Sequence, residues 1–264
     1  MPIRPAQAID DPASAFYVEA LSVLDDAGIG YLIGGTFAFA HYARIARETK
    51  DLDIFVRRED CRRALALFDE AGYRTELPFP HWLGKVFGAG PFIDLIFSSG
   101  NGLARVDDLW FEHAPDAEIF GCPVKLCPAE EMLWSKAFVQ ERERFDGGDV
   151  VHLIRELGAS LDWDRLLMRF GDHWRVLFAH LVLFGYIYPD RRSQVPLRVL
   201  GELAARLAAD RVEPRNRVCN GTFLSREQYL ADVEGGYRDG RLAPEGPMTG
   251  SEIDIWTAAI GDPH

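Results

Sequence analysis

Lys50-Asp51-Leu52-Asp53-Ile54-Phe55-Val56 is the stretch on which the reading of this chain turns. It is a short run of strand formers with carboxylates at two alternate positions. Strand side chains alternate faces, so Asp51 and Asp53 share one face while Leu52 and Ile54 share the other. Phe92-Ile93-Asp94-Leu95-Ile96-Phe97 repeats the pattern with a single carboxylate. A carboxylate taken out of water without a partner loses several kcal/mol of hydration, so three of them in apolar strands need a reason. A divalent cation is the most economical one. Mg²⁺ is held by one or two carboxylates together with substrate phosphates. The candidate metal ligands are therefore Asp51, Asp53 and Asp94, with Mg²⁺ the expected ion and Mn²⁺ the alternative.

Upstream, Tyr31-Leu32-Ile33-Gly34-Gly35-Thr36 reads as a short strand running into a turn and then a helix. A Gly-Gly turn lets backbone N–H groups approach a phosphate, and the helix N-terminus adds partial positive charge. Gly-Gly alone is a weak signal. Followed by Asp-x-Asp in one strand and Asp in another, it becomes a strong one. Such carboxylates suit two Mg²⁺ ions about 3.5–4 Å apart, one on a triphosphate and one lowering the pKa of an attacking hydroxyl. Asp94 would ligate the second ion and accept the proton.

The chain has 264 residues, enough for one large core or two domains, and nearly half of them are apolar. Its formal net charge of −12 argues against a broad nucleic-acid-gripping surface, though not against a local basic groove. Cys61, Cys122, Cys127 and Cys219 are scattered with no metal-type spacing, so neither disulfides nor a zinc site is expected. No signal core or membrane-length apolar run is read. The stretch 176–188 is taken as a buried helix, and the expected compartment is the cytoplasm.

Along the chain, helices are expected over 16–27, 36–44 and 59–71. Strands are expected over 31–33, 51–56, 73–76, 82–87 and 92–97, and a hairpin around Gly121. Pro78, Pro80 and several glycines suggest turns between the middle strands. From 128 the pattern becomes helical: 128–145, 149–157, 163–170, 173–188 and 195–209. The fold class is α/β (α+β), a small mixed sheet followed by a helical domain. The expected domains are 1–127, 128–210 and an irregular extension over 211–264.

Gly34-Gly35-Thr36, Asp51-x-Asp53 and Asp94 together resemble the signature of the DNA polymerase β-type nucleotidyltransferase superfamily. Ala38 through Arg47-x-Thr49-Lys50-Asp51 is similar to the bacterial branch that includes the AbiEii/MenT-type toxins. Pro128-Ala129-Glu130-Glu131-Met132-Leu133-Trp134-Ser135-Lys136, then Arg142, Arg144, Asp146 and Asp149, resembles that branch's downstream motif. The resemblance covers about residues 14–157, and the whole chain also looks like a set of bacterial proteins known only as nucleotidyltransferase family proteins. It implies that Gly34, Gly35, Thr36 and Lys136 hold the triphosphate, that Asp149 orients Lys136 or the base, and that Arg47 or Arg144 assists. Two departures stand out: the turn reads Gly-Gly-Thr where much of the superfamily has Gly-Ser, and the gap to Asp51 is longer than in minimal members.

Each residue also has a plainer reading. Lys136 would be a surface lysine, Asp146 and Asp149 helix caps, and Trp82 and Phe37 core aromatics rather than a base-stacking surface. The expected activity is Mg²⁺-dependent transfer of a nucleoside monophosphate from a nucleoside triphosphate (NTP) to an acceptor, with release of pyrophosphate. The acceptor could be a small molecule, a protein or RNA, and a homodimer stays open. The rivals are an inactive nucleotide-binding regulator or toxin–antitoxin component, a tRNA-modifying toxin, and an aminoglycoside- or lincosamide-type adenylyltransferase.

Overall fold

The computed structural model describes residues 12–210 and 217–260. The chain divides into two compact units, Met1–Pro128 and Ala129–His264. Residues 211–216 and 261–264 of the expected extension lie outside the described residues.

The first unit runs α1 (Pro12–Asp26), β1 (Tyr31–Ile33), α2 (Gly35–Ala43), β2 (Asp51–Val56), α3 (Arg58–Glu70), β3 (Arg74–Phe79), β4 (Leu83–Phe87), β5 (Phe92–Ile96), α4 (Asp108–Glu112), β6 (Asp116–Ile119) and β7 (Cys122–Lys125). Five strands form one sheet in the order β1-β2-β5-β4-β3. Only β2 and β5 are parallel; the other pairs are antiparallel, so the sheet is mixed as expected. Alternation does the sorting. Leu52, Ile54, Val56, Ile93 and Leu95 are fully buried, while Asp51, Asp53 and Asp94 lie on the opposite, partly open face. An added Cβ at Gly84 would meet Leu65 and Cys61, which puts α3 against the core face of β4. The carboxylate face is the other one.

Pro78 does not end its strand. β3 continues through it to Phe79, with a register shift between Glu76 and Phe79. β3 is an edge strand, where a missing N–H costs no ladder bond and a bulge is tolerated. The hairpin β6–β7 closes through Phe120 and Gly121, at φ +53° and +78°, the two-residue turn whose twist matches that of paired strands. Phe120 turns back onto Tyr17 and Phe37. After the hairpin, Cys127 N–H donates to the Ile33 carbonyl at 2.8 Å, tying this segment to β1.

The second unit contains α5 (Ala129–Ala137), α6 (Gly147–Leu157), α7 (Trp163–Phe170), α8 (Trp174–Ile187), α9 (Leu197–Ala209), β8 (Val218–Cys219), α10 (Leu230–Glu234), β9 (Arg238–Asp239) and α11 (Gly250–Ala258). The single helix expected over 128–145 stops at Ala137. Tertiary bonds override the local pattern: Gln140 N–H donates to the Leu224 carbonyl, and the Glu141 carboxylate accepts from the Ser225 hydroxyl and the Arg226 N–H. α8 is buried on one side only, through Leu177, His180, Leu181 and Phe184. Val182, Leu183, Tyr186 and Ile187 are exposed, which corrects the expectation of a wholly buried helix. The described part of the C-terminal stretch is less irregular than expected. β8 and β9 pair, and Thr249 with Glu252 forms a capping box that starts α11. Among the described residues no helix is long and apolar enough to cross a membrane.

Candidate active site

Strand register brings the three carboxylates together. Asp53 lies beside Asp94 across the parallel pair β2–β5, and Asp51 lies two residues before Asp53 on the same face. One carboxylate oxygen from each of Asp51, Asp53 and Asp94 falls within 4.8 Å of the others. The donor set is all oxygen and all anionic, the chemistry of Mg²⁺, Mn²⁺ or Ca²⁺ rather than of a thiolate-seeking metal. The residues present therefore fit the cation that the sequence implied.

The Gly-Gly turn sits against the same carboxylates. Gly34 N–H donates to the Asp53 carbonyl at 2.9 Å. An added Cβ at Gly34 would overlap the Phe55 ring, and one at Gly35 would overlap the Asp53 carboxylate. Gly35 also has φ +51°, in the left-handed region that glycine adopts without strain. Both glycines are thus required by residues of the neighbouring strand. Thr36 is the second residue of α2, whose first-turn N–H groups have no side-chain cap from Gly34. The start of α2, where helix N–H groups lack intrahelical partners, is therefore held next to Asp53.

Two residues outside the expected set touch the cluster. The Thr49 hydroxyl donates to the Asp51 carboxylate and so orients it. Lys85, on β4, is the antiparallel partner of Asp94, and its Nζ lies 2.8 Å from Asp94 Oδ1. Both side chains are largely shielded, Lys85 at 12% exposure and Asp94 at 15%. Burial lifts the Asp94 carboxyl above the usual aspartate range. The hydrogen bond and charge of Lys85 pull it back, and the charge of Asp51 pushes it up again. The balance leaves it raised, with burial the largest contribution.

Lys136 and Asp149 meet in the second unit. Lys136 Nζ lies 2.8 Å from Asp149 Oδ2 and 2.9 Å from Asp146 Oδ2. Arg144 adds a two-pronged contact to Asp146. The reading of Lys136 as a surface lysine is excluded by this shielded pairing. Asp146 precedes α6, but its side chain makes no capping bond there. Burial pushes the Asp146 carboxyl up, yet Arg144 and Lys136 outweigh it and hold the carboxyl below its ordinary value. Arg47 is exposed and its guanidinium lies 4.5 Å from the Phe39 ring centre. Trp82 stacks on Phe79, and Phe37 meets Phe120 edge-on, so both proposed base platforms take part in ring packing.

A family model described as an uncharacterised nucleotidyltransferase matches residues 20–183. The match spans more than half of the chain, and the chain belongs to this nucleotidyltransferase family. No curated protein matches significantly. Among solved structures, the chain is similar to the antibiotic-resistance factor ANT(2″)-Ia in solution, at 17% identity and a TM-score of 0.42, over 63% of this chain and 95% of that one. It is also similar to the lincomycin-bound lincosamide antibiotic adenylyltransferase LnuA, at 14% identity and 0.39, over 54% and 96%. A nucleotidyltransferase-like protein from Paracoccidioides brasiliensis gives 18% and 0.39, over 65% and 92%.

Proposed function

We propose that the chain moves a nucleoside monophosphate from an NTP to an acceptor hydroxyl and releases pyrophosphate. One observation carries the reading: the convergence of the Asp51, Asp53 and Asp94 carboxylates beside the Gly34-Gly35 turn. Asp51 and Asp53 would hold Mg²⁺, which on binding neutralises phosphate charge and acidifies the attacking hydroxyl. The backbone N–H groups at Gly35 and Thr36 would take the triphosphate. The family resemblance alone would give Lys136, steadied by Asp149, the β- and γ-phosphates and Arg47 an auxiliary part.

The electron flow is that of a simple displacement. Asp94 accepts the proton of the acceptor O–H. The freed oxygen pair forms the new bond to the α-phosphorus, the bond to the bridging oxygen of the β-phosphate breaks, and its pair leaves with pyrophosphate. The inactive-regulator reading loses weight because each of the three carboxylates remains on the shared face. The resemblance to the AbiEii/MenT branch, carried by residues 38–51 and by the downstream Lys136 and Asp149 motif, stays part of this reading, and Lys136 and Asp149 lie 2.8 Å apart as an ion pair.

The reading is tested by adding each α-³²P-labelled NTP with Mg²⁺ to a cell lysate, with and without the protein. Label appearing on RNA, protein or a small molecule supports transfer and names the acceptor class. Label remaining wholly in nucleotide for all four NTPs counts against it.

A further inference from the structure

Sequence reasoning placed two cations at this site. The structure places an ammonium group where the charge of the second would go. Across the sheet, Asp53, Asp94 and Lys85 are successive register partners on β2, β5 and β4, so the three side chains stand in one row on one face. Lys85 Nζ occupies Asp94 Oδ1 at 2.8 Å. It is also held over the Phe92 ring, 4.4 Å from its centre, and Phe92 is the register partner of Asp51. Its position is therefore fixed from two sides, by a carboxylate and by the negative face of an aromatic ring. Three carboxylates and one lysine leave two negative charges, the number that a single divalent ion neutralises. A second divalent ion on Asp94 Oδ1 would have to displace an ion pair shielded from water, where like charges repel most strongly.

We propose that Lys85 takes the place of the second divalent cation, so that this site works with one ion, on Asp51 and Asp53, while the remaining oxygen of Asp94 stays open to the acceptor's proton. Lys85 is then a positioning residue: it acts through Asp94, fixing the carboxylate and lending it a charge that does not depend on metal supply. The inference rests on the transferase reading above and can fail separately from it.

The experiment is electron paramagnetic resonance of the full-length protein with Mn²⁺, alone and with non-hydrolysable α,β-methylene analogues of the four NTPs. Two Mn²⁺ ions about 3.5–4 Å apart give a spin-coupled spectrum, whereas one ion gives an isolated six-line signal. Wild type is expected to give only the isolated signal. Lys85→Met is expected to give the coupled pair, and Lys85→Arg to keep the single ion. A coupled pair in wild type overturns the role of Lys85 and leaves the transferase reading standing, and this result needs no variant to fold. An isolated signal in a folded Lys85→Met also overturns it. Absence of any bound Mn²⁺ in wild type sinks both.

Discussion

The Asp53 carboxylate fills the space where a side chain at residue 35 would begin. The glycine and the aspartate come from α2 and β2, and the close approach is what sets the helix start beside the metal ligands. Gly35 has φ +51°, and an ordinary L-residue there costs about 1–2 kcal/mol before any clash is counted. Gly35→Ala is expected to lower unfolding free energy by about that amount or more. It should also weaken Mn²⁺ binding, because Asp53 must move. Urea titration and Mn²⁺ binding check this together. A variant that unfolds and binds Mn²⁺ like wild type would show that the approach is incidental.

Lys136 lies between Asp146 and Asp149, with shielded ion pairs of 2.9 and 2.8 Å. If it also meets the triphosphate, Lys136→Met removes charge-assisted bonds worth about 1.5–3 kcal/mol. Initial-rate kinetics should then show kcat/KM for NTP falling about 10- to 100-fold, mostly through KM. An unchanged KM would leave the lysine a purely structural role.

His180 supplies a pH dependence of stability. It is buried in α8, and its Nε2 lies 2.9 Å from the Ala137 carbonyl; Nδ1 has no hydrogen-bond partner. Burial holds its pKa below the ordinary histidine value, and the carbonyl contact only partly offsets this. The folded state therefore keeps the ring neutral at a pH where the unfolded chain takes up a proton. Its contribution is fully present above the unfolded pKa of about 6.5 and is lost as pH falls below it. The slope approaches about 1.4 kcal/mol per pH unit for one full proton. Denaturant midpoints between pH 7.5 and 5 should fall for wild type and fall less for His180→Gln. Parallel profiles would contradict the assignment.

The buried charges of α5 and α7 form a structural network. Glu131 is fully buried; Arg169 Nε lies 3.0 Å from its Oε1, and Arg165 lies 3.7 Å from its Oε2 and also meets Glu130. Burial raises the Glu131 carboxyl, and the two arginines pull it only part of the way back. Removing one partner of such a network strands the others, at about 3–5 kcal/mol. Glu131→Ala should show that loss by thermal or urea unfolding, far more than Asp53→Asn, whose carboxylate stands on the open face of the sheet. Equal stability of Glu131→Ala and wild type would refute the network.

Legibility in the sequence followed how local each signal was. β2 matched its expected span because alternation within six residues marks a strand with one polar face. The Gly34-Gly35 turn was legible for the same reason, although the identity of what each glycine accommodates, Phe55 and Asp53, depends on the β1–β2 pairing. Lys85 escaped because its partner is set by the β4–β5 register, which the residues around it do not encode. A lysine amid Leu83, Val86 and Phe87 was nevertheless a signal that a carboxylate must lie opposite. The break after Ala137 was invisible because its cause, bonds from residues 140 and 141 to residues 224–226, spans more than eighty positions of sequence.

The most direct test of the central claim is pyrophosphate release by wild type and Asp53→Ala, measured with each of the four NTPs, Mg²⁺ and a broad acceptor panel. The account predicts release by wild type with at least one NTP, abolished by EDTA and reduced by at least about 10²-fold in Asp53→Ala. Equal release by the two proteins, or none by either across the whole panel, would contradict it.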